Sequence, residues 1–240
     1  MIFLCFSGKD RLTAVKSILF HLQKYGMDIW YDNYVHILGD DKNENYICGV
    51  RESQYAVVIY SPAFPDSPGA LEELVEIKQR YDNGLMHVFP IFYNIKANEI
   101  PAQDSWLCNL IYNEINDTTG TLMSCNQIVC KFFSDTLKGQ EIPSLWEIKQ
   151  NSLCLLPWMD KMLDTYFNIV SENINSRLTT LYCLFLFLES EISLPMYLVK
   201  TVNYLFATTK LHLDYNFKEI ILMEQAVCIA LSNFNNCNHQ

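Results

Sequence analysis

The sequence predicts an α/β protein in which a doubly wound parallel sheet is followed by an all-helical C-terminal region. In the first half, short apolar runs alternate with helical periodicity, the order that builds a parallel sheet wrapped by helices. After Pro143 helical periodicity continues without a convincing strand pattern. We therefore expect two domains, residues 1–140 and residues 145–240, with ligand sites at the carboxyl ends of the strands.

The apolar runs of the first half predict four strands. Each run is bounded by turn-forming residues, as buried strands of a parallel sheet are. The run 55–60 is the strongest, because it is rich in β-branched and aromatic side chains. The predicted strands cover residues 2–6, 27–31, 55–60 and 85–93.

Helical spacing connects these strands. A helix is predicted from Asp10 to Gly26, and a short one around residues 46–50. Ser67 is expected to cap the next helix, with Pro68 in its first turn, and Asn83-Gly84 ends it. Residues 94–121 give no regular pattern, and residues 122–137 predict a further helix. The predicted apolar faces are Leu12, Val15, Ile18, Leu19 and Leu22 in the first helix, and Leu71, Leu74 and Val75 after Ser67.

Four helices are predicted after Pro143, over residues 157–172, 176–189, 194–208 and 217–234. Two interpretations of their apolar side chains remain open: packing on each other or on the first domain, or an assembly surface. The side chains concerned are Leu181, Leu184, Phe185, Leu188, Leu198, Val202 and Leu205.

Composition excludes several partners. The formal net charge of −10 makes nucleic acid a poor partner. Nine cysteines without a CxxC pair indicate buried free thiols of a reducing cytoplasm, and five scattered histidines form no metal-site pattern. The N-terminus lacks signal-peptide features, and the longest apolar run, 181–188, is too short to cross a bilayer. We therefore expect a cytoplasmic protein with neither a membrane partner nor a metal.

Several segments, taken in order, resemble a TIR domain. The string FLCFSGKDR at residues 3–11 resembles the first TIR box, and GMDIWYD at 26–32 with LGD at 38–40 resembles the second strand and BB loop. SQYAVVIYS at 53–61, ALEELVEI at 70–77 and VFPIFY at 88–93 resemble the following strand, helix and strand. The resemblance covers residues 1–140 and implies a flavodoxin-like sheet.

TIR domains divide into adaptors that only assemble and enzymes that consume NAD. The enzymes carry a glutamate in a Ser-x-Trp-Cys-x-x-Glu-Leu pattern on the helix after the third strand. Ser67, Glu73 and Leu74 match this pattern, whereas Gly69 replaces tryptophan and Ala70 replaces cysteine. We expect Trp30 or Tyr31 to supply the missing ring.

The resemblance implies cleavage of the nicotinamide–ribose bond of NAD, with NAD as substrate and no further cofactor. Nicotinamide leaves as a good, positively charged group, so one carboxylate that steadies the developing charge on ribose is enough. Glu73 is the candidate for that catalytic carboxylate. The alternative is that Glu73 is a solvated helix residue, as Glu72 and Glu76 are expected to be.

The turn after the first strand is expected to bind the dinucleotide through Phe6, Ser7, Gly8 and Lys9, with Lys9 meeting phosphate. The alternative is an ordinary strand-to-helix turn capped by Asp10. In the second loop, Asp32, Leu38 and Gly39 are expected to close over the ligand, unless they are only turn residues. His36 in the same loop is expected to be exposed.

Three functional hypotheses follow. The first is an NAD nucleosidase of bacterial immune defence, releasing ADP-ribose or a cyclic ADP-ribose, and self-associating through the TIR domain and the helical tail. The second is a non-catalytic adaptor, favoured by Gly69 in the place of tryptophan. The third is a different doubly wound nucleotide-binding or receiver-like module. A receiver requires acidic residues after the first strand and a lysine late in the sheet, which Ser7-Gly8 and Phe92-Tyr93 do not supply. The choice between hydrolysis and cyclisation depends on placement of the adenosine half and stays open.

Overall fold

The computed structural model describes residues 1–31, 42–151, 156–209 and 217–238. Two compact units make up the chain: Met1–Gln23 with Met27–Cys125, and Lys24–Gly26 with Asn126–Gln240. These units are defined by their internal contacts, whereas a domain is a part of the chain that can fold alone. The domain limits 1–140 and 145–240 therefore stay predictions.

The first unit is built on a five-stranded parallel sheet in the order β2-β1-β3-β4-β5. This is the flavodoxin-like strand order, so the predicted fold class is confirmed. The strands are β1 (Ile2–Phe6), β2 (Ile29–Trp30), β3 (Tyr55–Tyr60), β4 (His87–Tyr93) and β5 (Asn113–Ile115).

Strand β3 forms the centre of the sheet, and all six of its residues are buried. On one face, Cys5 and Val58 belong to a core with Ala70 and Leu74 of the following helix. Residues that alternate with them, such as Leu4 and Val57, are equally buried. Because successive side chains of a strand point to opposite faces, both faces of the sheet are covered.

Helices connect the strands in the predicted order, with shifted ends. A 3-10 turn and a π-helical turn precede the first α-helix, and β5 with two 3-10 helices lies in a segment predicted to be irregular. The helices of residues 1–151 are α1 (Lys16–Lys24), α2 (Lys42–Glu52), α3 (Pro68–Asp82), α4 (Thr121–Gly139) and α5 (Leu145–Asn151).

Two predicted core positions are wrong. Leu12 is 81% exposed, because it lies in the irregular turns that precede α1. The periodicity of an α-helix therefore does not apply at that position. Val75 is 60% exposed, whereas Leu74 beside it is buried on the sheet. Ser67 occupies the N-cap of α3 with Pro68 in the first turn as predicted, but among the described residues its side chain makes no cap hydrogen bond.

The described part of the second unit is helical, which confirms the predicted C-terminal region. The seven apolar side chains that the sequence singled out are each at most 1% exposed, as packing requires. None of the helices in the described ranges is both long and apolar enough to cross a membrane. These helices are α6 (Pro157–Asn168), α7 (Ile174–Glu191), α8 (Met196–Thr209) and α9 (Phe217–Asn238).

Helix α2 approaches β2 closely at a glycine. A Cβ built on Gly49 would lie 2.4 Å from the indole of Trp30. That indole also stacks on Phe3, with ring centroids 4.8 Å apart, and meets Tyr46 at 5.7 Å. The ring therefore has little freedom to move away.

Gly49→Ala is expected to lower the free energy of unfolding by about 1–3 kcal/mol, because overpacking forces the indole or the helix to shift. Gly69→Ala is the matched control. It lies in α3 with nothing within 4 Å of an added Cβ, so alanine should be neutral or stabilise by up to about 1 kcal/mol. Urea denaturation of both variants measures the difference, and equal stability of the two would contradict this packing.

Candidate active site

A cavity of about 370 Å³ lies at the carboxyl edge of the sheet. It is bounded by the end of β1 and its turn, by Trp30 of β2, by Tyr46 of α2 and by the N-terminal half of α3. Parallel strands bring their carboxyl ends to one edge, which is why these distant segments meet. The lining residues are Leu4, Phe6, Gly8, Arg11, Trp30, Tyr46, Ser67, Pro68, Gly69, Ala70 and Glu73.

Of the predicted residues in the first turn, Phe6 and Gly8 line the cavity. Ser7 is buried, and its carbonyl accepts a hydrogen bond from the backbone N–H of Asp10 at 2.9 Å. Gly8 is exposed, with nothing within 4 Å of an added Cβ, so the backbone is accessible from the cavity. Lys9 is exposed and is not among the described residues that line the cavity.

Arg11 is the cation that the structure brings to this cavity, among the described lining residues. Its guanidinium lies 5.1 Å from the ring centre of Phe6 and 5.4 Å from that of Tyr31. It also donates a hydrogen bond to the Tyr31 hydroxyl at 3.1 Å. Sequence analysis missed Arg11, although its signal was present as the last residue of the first TIR-like string.

Aromatic side chains form one wall of the cavity. Trp30 and Tyr46 both line it, whereas Tyr31 packs on Phe6 with ring centroids 6.0 Å apart. Of the two residues expected to supply a ring, Trp30 is therefore the one at the cavity. Tyr46 was not anticipated, because an isolated tyrosine in a short helix carries no site signal.

Gly69 leaves open space at the cavity. It lines the 370 Å³ cavity and also a neighbouring cavity of about 280 Å³. Tyr46, Gly69 and Glu73 are common to both linings. A large side chain at position 69 would project into this shared space, and glycine leaves it open.

Glu73 is half-buried and is the carboxylate of the larger cavity, among the described lining residues. It lies one helical turn after Gly69, so both are on the same face of α3. Glu72 is exposed and lines the smaller cavity, and Glu76 forms an ion pair with Arg51 at 3.1 Å. Glu72 is exposed as expected, whereas Glu76 is half-buried like Glu73 and also lines the smaller cavity. Of the three glutamates, Glu73 is the one that lines the cavity that also contains Arg11.

A buried polar pair joins the turn after β1 to the turn after β3. Ser61, after β3, donates a hydrogen bond from Oγ to Oδ2 of Asp10 at 2.5 Å. Burial raises the pKa of Asp10, and the Ser61 hydroxyl and Lys9 partly oppose that effect. Among the described residues, the Asp10 side chain makes no cap hydrogen bond to the following turn. Asp10 therefore ties β1 to β3, rather than capping a helix.

Four of the residues considered above, Asp32, Leu38, Gly39 and His36, lie outside the described residues. Their expected roles in closing over a ligand or facing solvent stay predictions.

A sequence profile of the TIR domain family matches residues 2–118. Residues 2–118 are therefore a TIR domain, which disfavours the receiver-like alternative.

Curated relatives include an NAD(+) hydrolase, TcpC of Escherichia coli, 29% identical over 109 residues, which are 45% of this chain and 35% of that protein. The 2' cyclic ADP-D-ribose synthase AbTIR of Acinetobacter baumannii is 27% identical over 99 residues, 41% of this chain and 37% of its own. The chain thus spans little more than a third of these relatives. Among solved structures, the TIR domains of the activated Roq1 resistosome align at 20% identity, covering 55% of this chain and 98% of theirs, with a TM-score of 0.48.

Asp10→Asn is expected to gain stability relative to the unchanged chain as pH rises. A carboxyl whose pKa is raised on folding binds more protons in the folded state, so its contribution to stability falls as pH rises above 3.8, its ordinary pKa, until the folded pKa is passed. Asparagine keeps an acceptor for Ser61 without titrating. Urea denaturation of both chains from pH 3.5 to 7 measures the difference, and a difference independent of pH would contradict a raised pKa.

Proposed function

We propose that this chain cleaves the nicotinamide–ribose bond of NAD with Glu73 as its catalytic carboxylate. The observation that carries the proposal is that Glu73 and Arg11 line one cavity at the carboxyl edge of a TIR sheet. NAD presents a positively charged nicotinamide ribose and a negatively charged pyrophosphate. A carboxylate and a guanidinium in one cavity complement that pair of charges.

The reaction requires few protein groups besides a correctly placed carboxylate. As the bond to nicotinamide breaks, C1 of the ribose becomes positively charged, and the electron pair leaves with the ring nitrogen. Glu73 would hold a ribose hydroxyl and stabilise that charge in a partly enclosed site, where electrostatic stabilisation is strong. Water attacking C1 gives ADP-ribose, and an internal nucleophile gives a cyclic product. Trp30 and Tyr46 would pack against the nicotinamide.

Arg11 would bind the pyrophosphate, a role that the sequence alone suggested for Lys9. A guanidinium donates in a fixed planar geometry suited to phosphate oxygens, and stacking on Phe6 and Tyr31 holds it in position. Backbone N–H groups at Ser7 and Gly8 would add donors. Asp32, Leu38 and Gly39 are proposed to close over the ligand.

Glu73→Gln is expected to lower nicotinamide release from NAD by at least about 10²-fold, because it removes the charge that stabilises the transition state. Asp82→Asn is the control: it removes an exposed carboxylate at the end of the same helix, where Asp82 pairs with Lys78, and should leave the rate unchanged. Chromatography of NAD incubated with each protein measures the rates. Equal rates for Glu73→Gln and the unchanged chain would overturn the assignment.

Arg11→Gln is expected to raise the KM for NAD by about tenfold, as loss of a charged hydrogen bond does. Turnover of nicotinamide riboside, which lacks phosphate, should change much less. Lys9→Gln serves as the comparison at the neighbouring cation. Equal losses on the two substrates would show that Arg11 supports the turn and does not bind phosphate.

The second candidate function is a non-catalytic adaptor that acts by TIR–TIR assembly. Gly69 favours it, because the ring of the enzyme pattern is replaced by open space between two cavities. A non-catalytic adaptor would self-associate more as the protein concentration rises, but it would release no nicotinamide at any concentration. Sedimentation and the NAD assay on the same samples separate the two functions.

The wider setting forms part of the proposal. We place the protein in the cytoplasm, where the eight cysteines among the described residues would remain the free thiols that they are here. Activity in bacterial defence would require self-association through the TIR domain, with the helical domain driving or restraining it. The division into domains at residues 1–140 and 145–240 belongs to the same proposal.

A further inference from the structure

We propose that the smaller cavity, of about 280 Å³, receives the base side of the substrate, so that Gly69 sets the size of base that this chain accepts. The substrate class is a dinucleotide whose pyridinium base carries an apolar group beyond the carboxamide of nicotinamide. The inference rests on the proposed function, which assigns the ribose to Glu73 and the pyrophosphate to Arg11.

The order of side chains along the two cavities gives the direction of the substrate. Among the described lining residues, Arg11 lines only the larger cavity, whereas Glu73 lines both. The base and the pyrophosphate of NAD leave the ribose on opposite sides, so the base extends past Glu73 and away from Arg11. Tyr46 also lines both cavities, and a base packed against its ring can direct a substituent into the smaller one.

Gly69 lies where the two cavities adjoin. It lines both, and an added Cβ would meet nothing within 4 Å. The tryptophan of the enzyme pattern would place a ring in this shared space. Cavities that bind small molecules typically enclose about 300–1,000 Å³, so the larger cavity, of about 370 Å³, lies near the lower limit by itself. The open space at Gly69 adds the room that an enlarged base requires.

The lining of the smaller cavity selects the chemistry of the substituent. Tyr46 and Val75 line it, and Val75 is 60% exposed, so an apolar group would cover apolar surface that now meets water. Glu72 and Glu76 line it too, and Glu76 is paired with Arg51. No cation is among the described lining residues. An apolar, uncharged substituent therefore suits this cavity, and a carboxylate does not.

An enlarged base changes no step of the proposed reaction. The bond between C1 and the pyridinium nitrogen breaks, and its electron pair stays with the nitrogen. Water adds to C1 and loses a proton, which gives ADP-ribose and the free base. Nothing is oxidised or reduced, so the reaction needs no co-reactant besides water.

NAD with a benzyl group on the carboxamide nitrogen is the test substrate. The unchanged chain should cleave it with kcat/KM within about threefold of that for NAD, and Gly69→Trp should lower the ratio of the two by at least about tenfold. Gln79→Trp is the matched control, because it adds the same ring at an exposed position of α3 that is not among the lining residues of either cavity. The ratio is measured within one preparation, so differences in the amount of folded protein cancel. An equal ratio in Gly69→Trp and the unchanged chain would overturn the inference.

Two further substrates locate the substituent. NAD with 1,N6-ethenoadenine is enlarged at the adenine end, and its ratio to NAD should be the same in Gly69→Trp and the unchanged chain. A 4-carboxybenzyl group in place of benzyl should lower kcat/KM in the unchanged chain by about fivefold, as repulsion by one nearby carboxylate does. An equal or higher kcat/KM for the carboxylate would contradict a substituent beside Glu72.

Binding separates this inference from the proposed function. Calorimetry compares Glu73→Gln with the double variant Glu73→Gln, Gly69→Trp, and the Kd of the benzyl derivative relative to that of NAD should be at least about tenfold higher in the double variant. If the unchanged chain cleaves neither substrate but this Kd ratio rises, the proposed function fails and the assignment of the cavity stands. If NAD is cleaved and the Kd ratio stays constant, or if the benzyl derivative does not bind, the inference fails by itself.

Discussion

The close packing of helix α3 on strands β1 and β4 is the constraint on which the candidate site depends. Ala70, Leu74 and Ile77 are buried at the sheet, and this fixes both the height and the rotation of the helix. With those residues facing inward, Gly69 and Glu73 fall at the cavity. Successive helical residues are about 100° apart, so rotation by one residue would place the carboxylate either at the exposed position of Glu72 or at the buried position of Leu74.

The parallel pairing of β1 with β3 supplies the other side of the site. Ile2 pairs with Tyr55 and Phe6 with Ile59, so the turns after both strands begin at the same edge. The hydrogen bond from Ser61 to Asp10 then joins those turns. Arg11 follows directly, and its stacking on aromatic rings directs its charge toward the space that Glu73 also faces.

Local charge differs from global charge in this molecule. The chain carries a formal net charge of −10, yet a guanidinium and a carboxylate share one cavity at the sheet edge. Net charge governs long-range attraction and repulsion, whereas a bound dinucleotide responds to groups within a few ångströms. The acidic composition and a site for an anionic substrate are therefore compatible.

Near positions 69 and 70, where this chain departs from the enzyme pattern, two rings and a thiol come from other segments of the fold. Trp30 of β2 and Tyr46 of α2 present rings to the cavity beside Gly69, and Cys5 of β1 presents a thiol at Ala70. Groups from separate segments can occupy one place because the sheet brings those segments together. A linear motif records only the residues of one segment, so it cannot show which side chains of other segments lie beside it.

The sequence by itself determined the sheet class, the limits of β3, the helical character of the tail and the candidacy of Glu73. Periodicity and turn residues depend on local physics and on burial averaged over a face, so they can be detected without coordinates. The sequence could not predict that Leu12 is exposed, because the turn in which it lies interrupts the helical periodicity. It also could not show which of two cations only two residues apart, Lys9 or Arg11, lies at the cavity. Only the tertiary structure decided that Arg11, Trp30, Tyr46 and Glu73 line one cavity, because these residues lie far apart in the chain.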